Sequence, residues 1–232
     1  MFNFLYGYGP SLLEGAFITV TLSIVSLFIA TILGLMTASM KLSKVRSLEI
    51  IGGIYTTVIR GIPDLVMMLL IFFGGQVLVN RVVQGMGYDG YIDINPFIAG
   101  SMTIGLIYGA YLAETFRGAF LAVPVGQTEA AKACGMDSWT IFSRILFPQM
   151  TRHALPSFGN NWLVLVKSTA LVSVIGLEDV VRVSDLAGGS THKPFNFWVA
   201  CALIYLAITS VSNFIQSWLE DRYNVGHREG NR

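Results

Sequence analysis

The residues of this 232-residue chain that could do chemistry are few, mostly charged, and set against long apolar stretches. Arg60 and Asp64 stand four apart with Pro63 between them, a spacing that lets a guanidinium and a carboxylate share one side of a helix. Glu114 and Arg117 are three apart, and Glu114 also has the reach to meet Arg60 across two helices. Lys167 stands alone inside an apolar segment, and Glu178, Asp179 and Asp185 form an acidic cluster beyond it. Side chains of these types hold ion pairs, either as fixed structure or as gates, and both readings stand open for Arg60, Asp64, Glu114 and Arg117. For the acidic cluster three readings stand open: attracting a cation to a mouth, docking a protein, or solvating a loop. Catalysis is not expected. His153, His192 and His227 are scattered without ligand spacing, so no metal site is expected. Cys134 and Cys201 lie in unlike settings and predict no disulfide. There is no glycine loop with its lysine for a nucleotide phosphate, so the chain is expected to bind no cofactor and to take any energy from elsewhere.

Composition says what must position these groups. The chain is 53% apolar and 12% charged, against roughly 25% charged in a soluble domain, so its uncharged runs call for lipid. Residues 15 to 40 carry no charge and predict span one at about 15–38. The seven Ser and Thr side chains of that run can bond to the preceding helical turn. No basic region precedes it, so span one is expected to act as its own insertion signal. Span two is expected from Gly52 to Val79 with Arg60 and Asp64 in its first third, then a polar loop over 80–94. Span three follows from Ile94 to Ala113 and on toward Arg117, with Gly105, Gly109 and Ala113 leaving a smooth face for another helix. Span four is expected over Ala154–Leu177 as one helix with Lys167 inside, two half-crossings being the alternative. The segment AGGSTHKP reads as flexible. Span five runs over Pro194–Leu219, with Trp198 and Trp218 as interfacial anchors.

Between spans three and four, residues 118–152 are too long and too charged for a turn. Pro124 is placed to open a short helix through GQTEAAKAC, Gly135 to end it, and Asp137 to cap a second helix carrying Trp139, Phe142 and Ile145 before Pro148. Lysines and arginines give direction. Lys41, Lys44, Arg46, Arg117, Lys132, Arg144, Arg152, Arg222, Arg228 and Arg232 fall on one side, and only Arg81, Arg182 and Lys193 on the other. The positive-inside rule then puts the N-terminus outside and the long loop and C-terminus in the cytoplasm.

The stretch EAAKACGMDSWTIFSRILFP resembles the EAA loop of the permease subunits of bacterial binding-protein-dependent ABC importers. That signature is EAA, three residues, Gly, nine residues, then I-x-L-P. Glu129, Ala130, Ala131, Gly135, Ile145 and Pro148 match it, and Phe147 stands where the family often has leucine. The segments TTVIRGIPDLVMMLLIFFG, YGAYLAETFRGAFLAVPVGQ and KSTALVSVIGLEDV are similar to polar-amino-acid permeases, and most of all to the Q-type subunit of histidine and lysine/arginine/ornithine importers. The resemblance covers nearly the whole chain.

The resemblance implies an all-α integral membrane protein with five transmembrane helices and the type I ABC importer permease architecture. It implies one permease domain over 1–232, with a cytoplasmic coupling loop at about 118–152 that inserts into an ATPase. The partners implied are a related permease subunit, two copies of a cytoplasmic ABC ATPase that bind ATP and Mg, a periplasmic amino-acid-binding protein and the lipid bilayer, with no nucleic acid. The function implied is non-catalytic: import of histidine, lysine, arginine or ornithine across the bacterial inner membrane. A secondary amino-acid transporter and a structural subunit of a membrane complex are the rival readings.

Overall fold

A computed structural model of the chain describes residues 5–87 and 90–223. Asp89, His227, Arg228 and Arg232 lie outside the described residues. The elements are α1 (Gly9–Leu42), α2 (Arg46–Gly61), α3 (Asp64–Gly85), α4 (Pro96–Leu121), α5 (Val125–Ala133), α6 (Ser138–Ile141), α7 (Phe147–Ser168), α8 (Val180–Thr191) and α9 (Pro194–Tyr223). A π-turn over Phe142–Leu146 joins α6 to α7, and a 3-10 turn over Thr169–Ile175 follows α7. Among the described residues five helical stretches are long and apolar enough to cross a membrane: Gly9–Leu42, Asp64–Gly85, Pro96–Leu121, Ser138–Ile175 and Pro194–Tyr223.

Helix α1 tolerates its hydroxyls because they bond within the helix. Thr19, Thr21, Ser23, Thr31 and Ser39 each donate to the carbonyl four residues back, at 2.7–2.9 Å. Helix α4 starts where Asn95 accepts from the amides of Phe97 and Ile98, with Pro96 at the first helical position. The two helices meet through glycines. A Cβ on Gly34 would lie 2.8 Å from Leu112 Cβ, and one on Gly105 would lie 2.6 Å from Ile29 Cγ2. One on Gly109 would lie 2.9 Å from Leu33 Cβ, so the smooth face of span three is turned to α1. Around this seam Leu22, Ala30, Ile104, Ile107 and Leu112 are wholly or almost wholly buried, with Met68 of α3 and Leu165 of α7 beside them. A smaller core gathers Leu12, Val180, Ala187, Phe197 and Cys201 where α1, α8 and α9 meet. The outward faces are apolar instead, with Leu13, Phe17 and Phe28 on α1 and Leu203, Leu206 and Phe214 on α9 exposed, as lipid requires.

Four expectations are corrected. Span two is not one helix: α2 ends at Gly61, Ile62 and Pro63 are extended, and α3 starts at Asp64. Proline forces the preceding residue out of the helical region, and here that ends the helix rather than merely freeing a carbonyl. The polar loop begins later than 80, because α3 continues to Gly85. Asn80 faces inward there, and its amide both donates to the Ile92 carbonyl at 2.8 Å and accepts from the Ile92 amide at 2.7 Å. With Gln76 accepting from Ile94 N at 2.9 Å, it ties the loop back onto the helix. Span four begins well before Ala154, the helix running without a break from Ser138. The segment AGGSTHKP is mostly helix, the end of α8. Gly188 is required by close approach, since a Cβ there would lie 2.9 Å from Pro194 Cα, and the helix closes at His192 with φ of 55°.

Replacing Gly34 by leucine forces α1 off α4. Overpacking of a tight seam costs about 1–3 kcal/mol or more, so the thermal midpoint of the Gly34→Leu chain in mild detergent is expected to fall, while Gly53→Leu, which meets no neighbour, leaves it in place.

Candidate functional site

The segment between α4 and the fourth span is built by three local devices. Pro124 opens α5, its carbonyl accepting from the Gln127 amide at 3.0 Å. At the other end Met136 N bonds to Ala131 O at 3.1 Å and Gly135 N to Lys132 O at 2.9 Å, the double closure that needs a left-handed residue. Gly135 supplies it with φ of 74°. Asp137 then caps α6, accepting from the amides of Trp139 and Thr140 at 3.1 and 3.2 Å. The Thr140 hydroxyl, with these amides, holds the Asp137 carboxyl below the usual carboxylate range, so the cap persists through neutral pH and is lost only in acid below that range.

The result is a knob with a groove. Pro124, Gln127, Ala130, Ala131, Met136 and Ile145 line a shallow cavity of about 670 Å³. Glu129 is exposed, Ala131 is buried, and Pro148 sits in the first turn of α7. Trp139 stacks near Phe142 at 5.9 Å and Phe142 near Phe147 at 6.0 Å, a largely exposed aromatic ladder beside the groove. Ile145 departs from the expected Trp139 and Phe142 side, because the π-turn adds a residue to the helical register and swings it to the groove.

The charged residues regroup. Arg60 and Asp64 make no ion pair, because the break at Ile62 and Pro63 removes the helical geometry that the spacing implied. The Arg60 guanidinium lies over the Tyr111 ring instead, 5.2 Å from its centre. Glu114 does not meet Arg60. It is bound by Lys41, which also donates to Thr56 Oγ1 at 2.9 Å, and more weakly by Arg117 at 3.8 Å. In the sequence Lys41 counts only among the charges that give direction, and its position at the end of a long uncharged run carries no sign of a partner 73 residues away. That pair ties α1, α2 and α4 at one end of the bundle. Lys167 is exposed.

Sequence reasoning also missed the polar strip through the middle of α4. Tyr108 and Tyr111 lie with ring centres 5.7 Å apart, Tyr108 Oη is 2.6 Å from Ser168 Oγ of α7, and Asn161 donates to Thr115 at 3.1 Å. The i,i+3 tyrosines in an uncharged span were the available signal. At the other end of the bundle the acidic cluster disperses: Glu178 is exposed, Asp185 pairs with Arg182 at 3.6 Å, and Asp179 is fully buried.

This combination of five spans, a glycine-closed knob and a helix running from the knob into the bundle has counterparts among known proteins. Residues 30–225 match the family of the binding-protein-dependent transport system inner membrane component. The chain belongs to that family. It is thus a multi-pass inner-membrane permease subunit, and the family is one of non-catalytic transport components whose name implies a binding protein. Over 222 residues, 96% of this chain and 97% of the relative, it is 54% identical to the histidine/lysine/arginine/ornithine transport system permease protein HisQ of Escherichia coli. It is 44% identical over 208 residues to the nopaline transport system permease protein NocQ of Agrobacterium fabrum, covering 89% of this chain and 88% of that one. The crystal structure of an amino acid ABC transporter with histidines superposes with a TM-score of 0.81 at 32% identity, over 96% of this permease chain and 98% of the other. An inward-facing MetNI methionine ABC transporter shares the fold, with a TM-score of 0.73 at 16% identity over 91% and 95% of the two chains.

Two outcomes test the site's construction. Removing the carboxylate by Glu114→Ala strips a charge-assisted bond from partly buried Lys41 and is expected to cost about 1.5–3 kcal/mol. Adding Lys41→Ala should cost much less than a second full penalty, a coupling that a double-mutant cycle on SDS-induced unfolding reads directly. Gly135→Val places a β-branched residue at positive φ, at about 1–2 kcal/mol of local strain, and should leave membrane insertion intact while increasing protease cleavage between α5 and α6.

Proposed function

We propose that this permease imports basic amino acids: histidine, lysine, arginine or ornithine. The observation that carries the reading is the near-full-length identity of 54% to a permease named for those four substrates. The family's binding-protein dependence favours it over a secondary transporter or a structural subunit. In this reading the chain pairs with a related permease subunit. Two cytoplasmic ATPase subunits bind ATP and Mg, and a periplasmic amino-acid-binding protein delivers substrate. The N-terminus faces the periplasm and the knob and C-terminus the cytoplasm, in keeping with the excess of lysine and arginine on the knob's side.

Glu129, Ala130, Ala131, Gly135, Ile145 and Pro148 are the ATPase-coupling residues of this proposal. Their support is mechanical. The groove that Ala130, Ala131 and Ile145 help line opens beside a helical stretch that continues from Ser138 to Ile175, so a push on the knob would reach Ser168 and its Tyr108 partner along one continuous stretch. Arg60 ends α2 and Asp64 starts α3 on either side of the break, and Tyr111 of α4 lies under the Arg60 guanidinium. Arg60 and Asp64 act there as gating groups, and Glu114 and Arg117 hold the inner ends of the helices together. Glu178 and Asp185, exposed at the outer end, are placed to dock the binding protein or to draw in a cation.

Co-reconstitution of the chain with its partner permease, ATPase and binding protein in liposomes tests the reading. Labelled lysine, arginine, histidine or ornithine should accumulate only with ATP inside and binding protein outside. Failure of all four in a complex that still hydrolyses ATP would remove the substrate class, whereas uptake driven by an ion gradient without the ATPase would remove the mechanism.

A further inference from the structure

Asp179 is the one buried carboxylic acid among the described residues, with none of its surface exposed. One oxygen, Oδ1, accepts from the Arg182 amide at 2.9 Å and starts α8, while the other, Oδ2, has no hydrogen-bond partner among the described residues. The residue sits where three helices close. From α1, Gly15 lies so near that a Cβ there would stand 2.9 Å from Val180 N and 3.0 Å from the Asp179 carbonyl carbon. Thr19 Oγ1, also of α1, accepts from Val180 N at 3.3 Å. From α9 come Cys201 and Tyr205, within electrostatic reach of the carboxyl.

Among the described residues, none of the groups facing this carboxyl is a cation. Cys201 and Tyr205 supply a thiol and a phenol, and α1 supplies the Thr19 hydroxyl, its nearest charge, Glu14, being exposed. On α8 itself the Arg182 guanidinium turns to Asp185 at 3.6 Å and is 42% exposed, and the preceding Glu178 points to solvent. The 3-10 turn contributes Thr169, whose hydroxyl is spent on the Val166 carbonyl at 2.7 Å. An anion here would leave a bare oxygen in a closed junction whose described groups offer no positive charge, which is costly, whereas a neutral acid is far less so.

We propose that Asp179 is a proton-binding site, and that the proton it carries clamps α8 against α1 and α9 at the outer end of the subunit. Burial pushes the Asp179 carboxyl up to about 6 from its ordinary 3.8. A junction that has opened to water returns the carboxyl to its ordinary value, so the closed junction holds the proton on the order of a hundredfold more tightly than the open one. The clamp is therefore at full strength below about pH 4, weakens as pH rises, and is spent above about 6. An outer compartment that moves between mild acid and neutrality thereby adjusts how readily α8 opens, whichever substrate the transporter carries.

The full chain, purified from membranes into lipid nanodiscs with the subunits that accompany it, provides the test. Hydrogen exchange of the α8 amides, corrected for the intrinsic pH dependence of exchange, should show opening becoming about tenfold easier between pH 5 and pH 7. Asp179→Asn keeps an oxygen for the Arg182 amide but cannot titrate, so its corrected α8 exchange should be flat over that range. Equal slopes in the two chains, or a flat wild type, overturn the proposal. Infrared spectroscopy of isotope-labelled aspartate gives a second readout that needs no stable Asn variant. A carboxylic-acid carbonyl band present at pH 5, lost by pH 7.5 and absent from Asp179→Ser supports the site, and no such band at pH 5 overturns it.

Discussion

The close approach of α1 and α4 is the constraint on which the other helices depend. Lipid offers no hydrophobic reward for bringing two apolar helices together, so contact area and shape must do it. Gly34 on one helix and Gly105 and Gly109 on the other remove the atoms that would hold the backbones apart. Leucine and isoleucine side chains from each then fill the space beside the partner's glycines. Helices α3 and α7 pack mainly on α4, α2 lies against both members of the pair, and α8 with α9 packs at the N-terminal end of α1. The hydroxyls of α1 take little part, since most bond back to their own helix.

Much of this was legible because its physics is local. Uncharged length gave the spans, the four-residue repeat of Gly105, Gly109 and Ala113 gave the contact face, and Pro124, Gly135 and Asp137 gave the knob. Each depends on a residue's own backbone preference or on a neighbour a turn away. Where the reading failed, a longer-range fact decided. Arg60 and Asp64 looked paired by spacing, but spacing assumes a continuous helix, and the residue before Pro63 is extended. The spacing of Glu114 and Arg117 does bring them together, but the cross-helix partner of Glu114 is Lys41 and not Arg60, because nothing local connects residues 73 apart. Asp179 looked like one of three surface carboxylates, and only the folded α8 shows it turned inward.

The knob and the fourth span are better seen as one object than as a loop and a helix. Asp137 fixes its start, the π-turn at Phe142–Leu146 absorbs one surplus residue, and Pro148 falls where the first turn of α7 can accept it. Pro156 lies further along the same helix without ending it. One continuous helical stretch thus joins the knob to Ser168, which meets Tyr108 in the polar strip with Tyr111.

Helix α1 also serves as a ruler. It meets Asp179 at Gly15 and Thr19, and Glu114 through Lys41. At 1.5 Å per residue, Gly15 and Lys41 stand about 39 Å apart, close to the full thickness of a bilayer with its headgroups. Between them the seam with α4 is neutral and indifferent to salt and acidity, so the ionisable contacts of this helix are confined to its two ends. One rod thus carries a fastening that answers to ionic strength at its Lys41 end and, under the proposed proton clamp, one that answers to acidity at its Gly15 end.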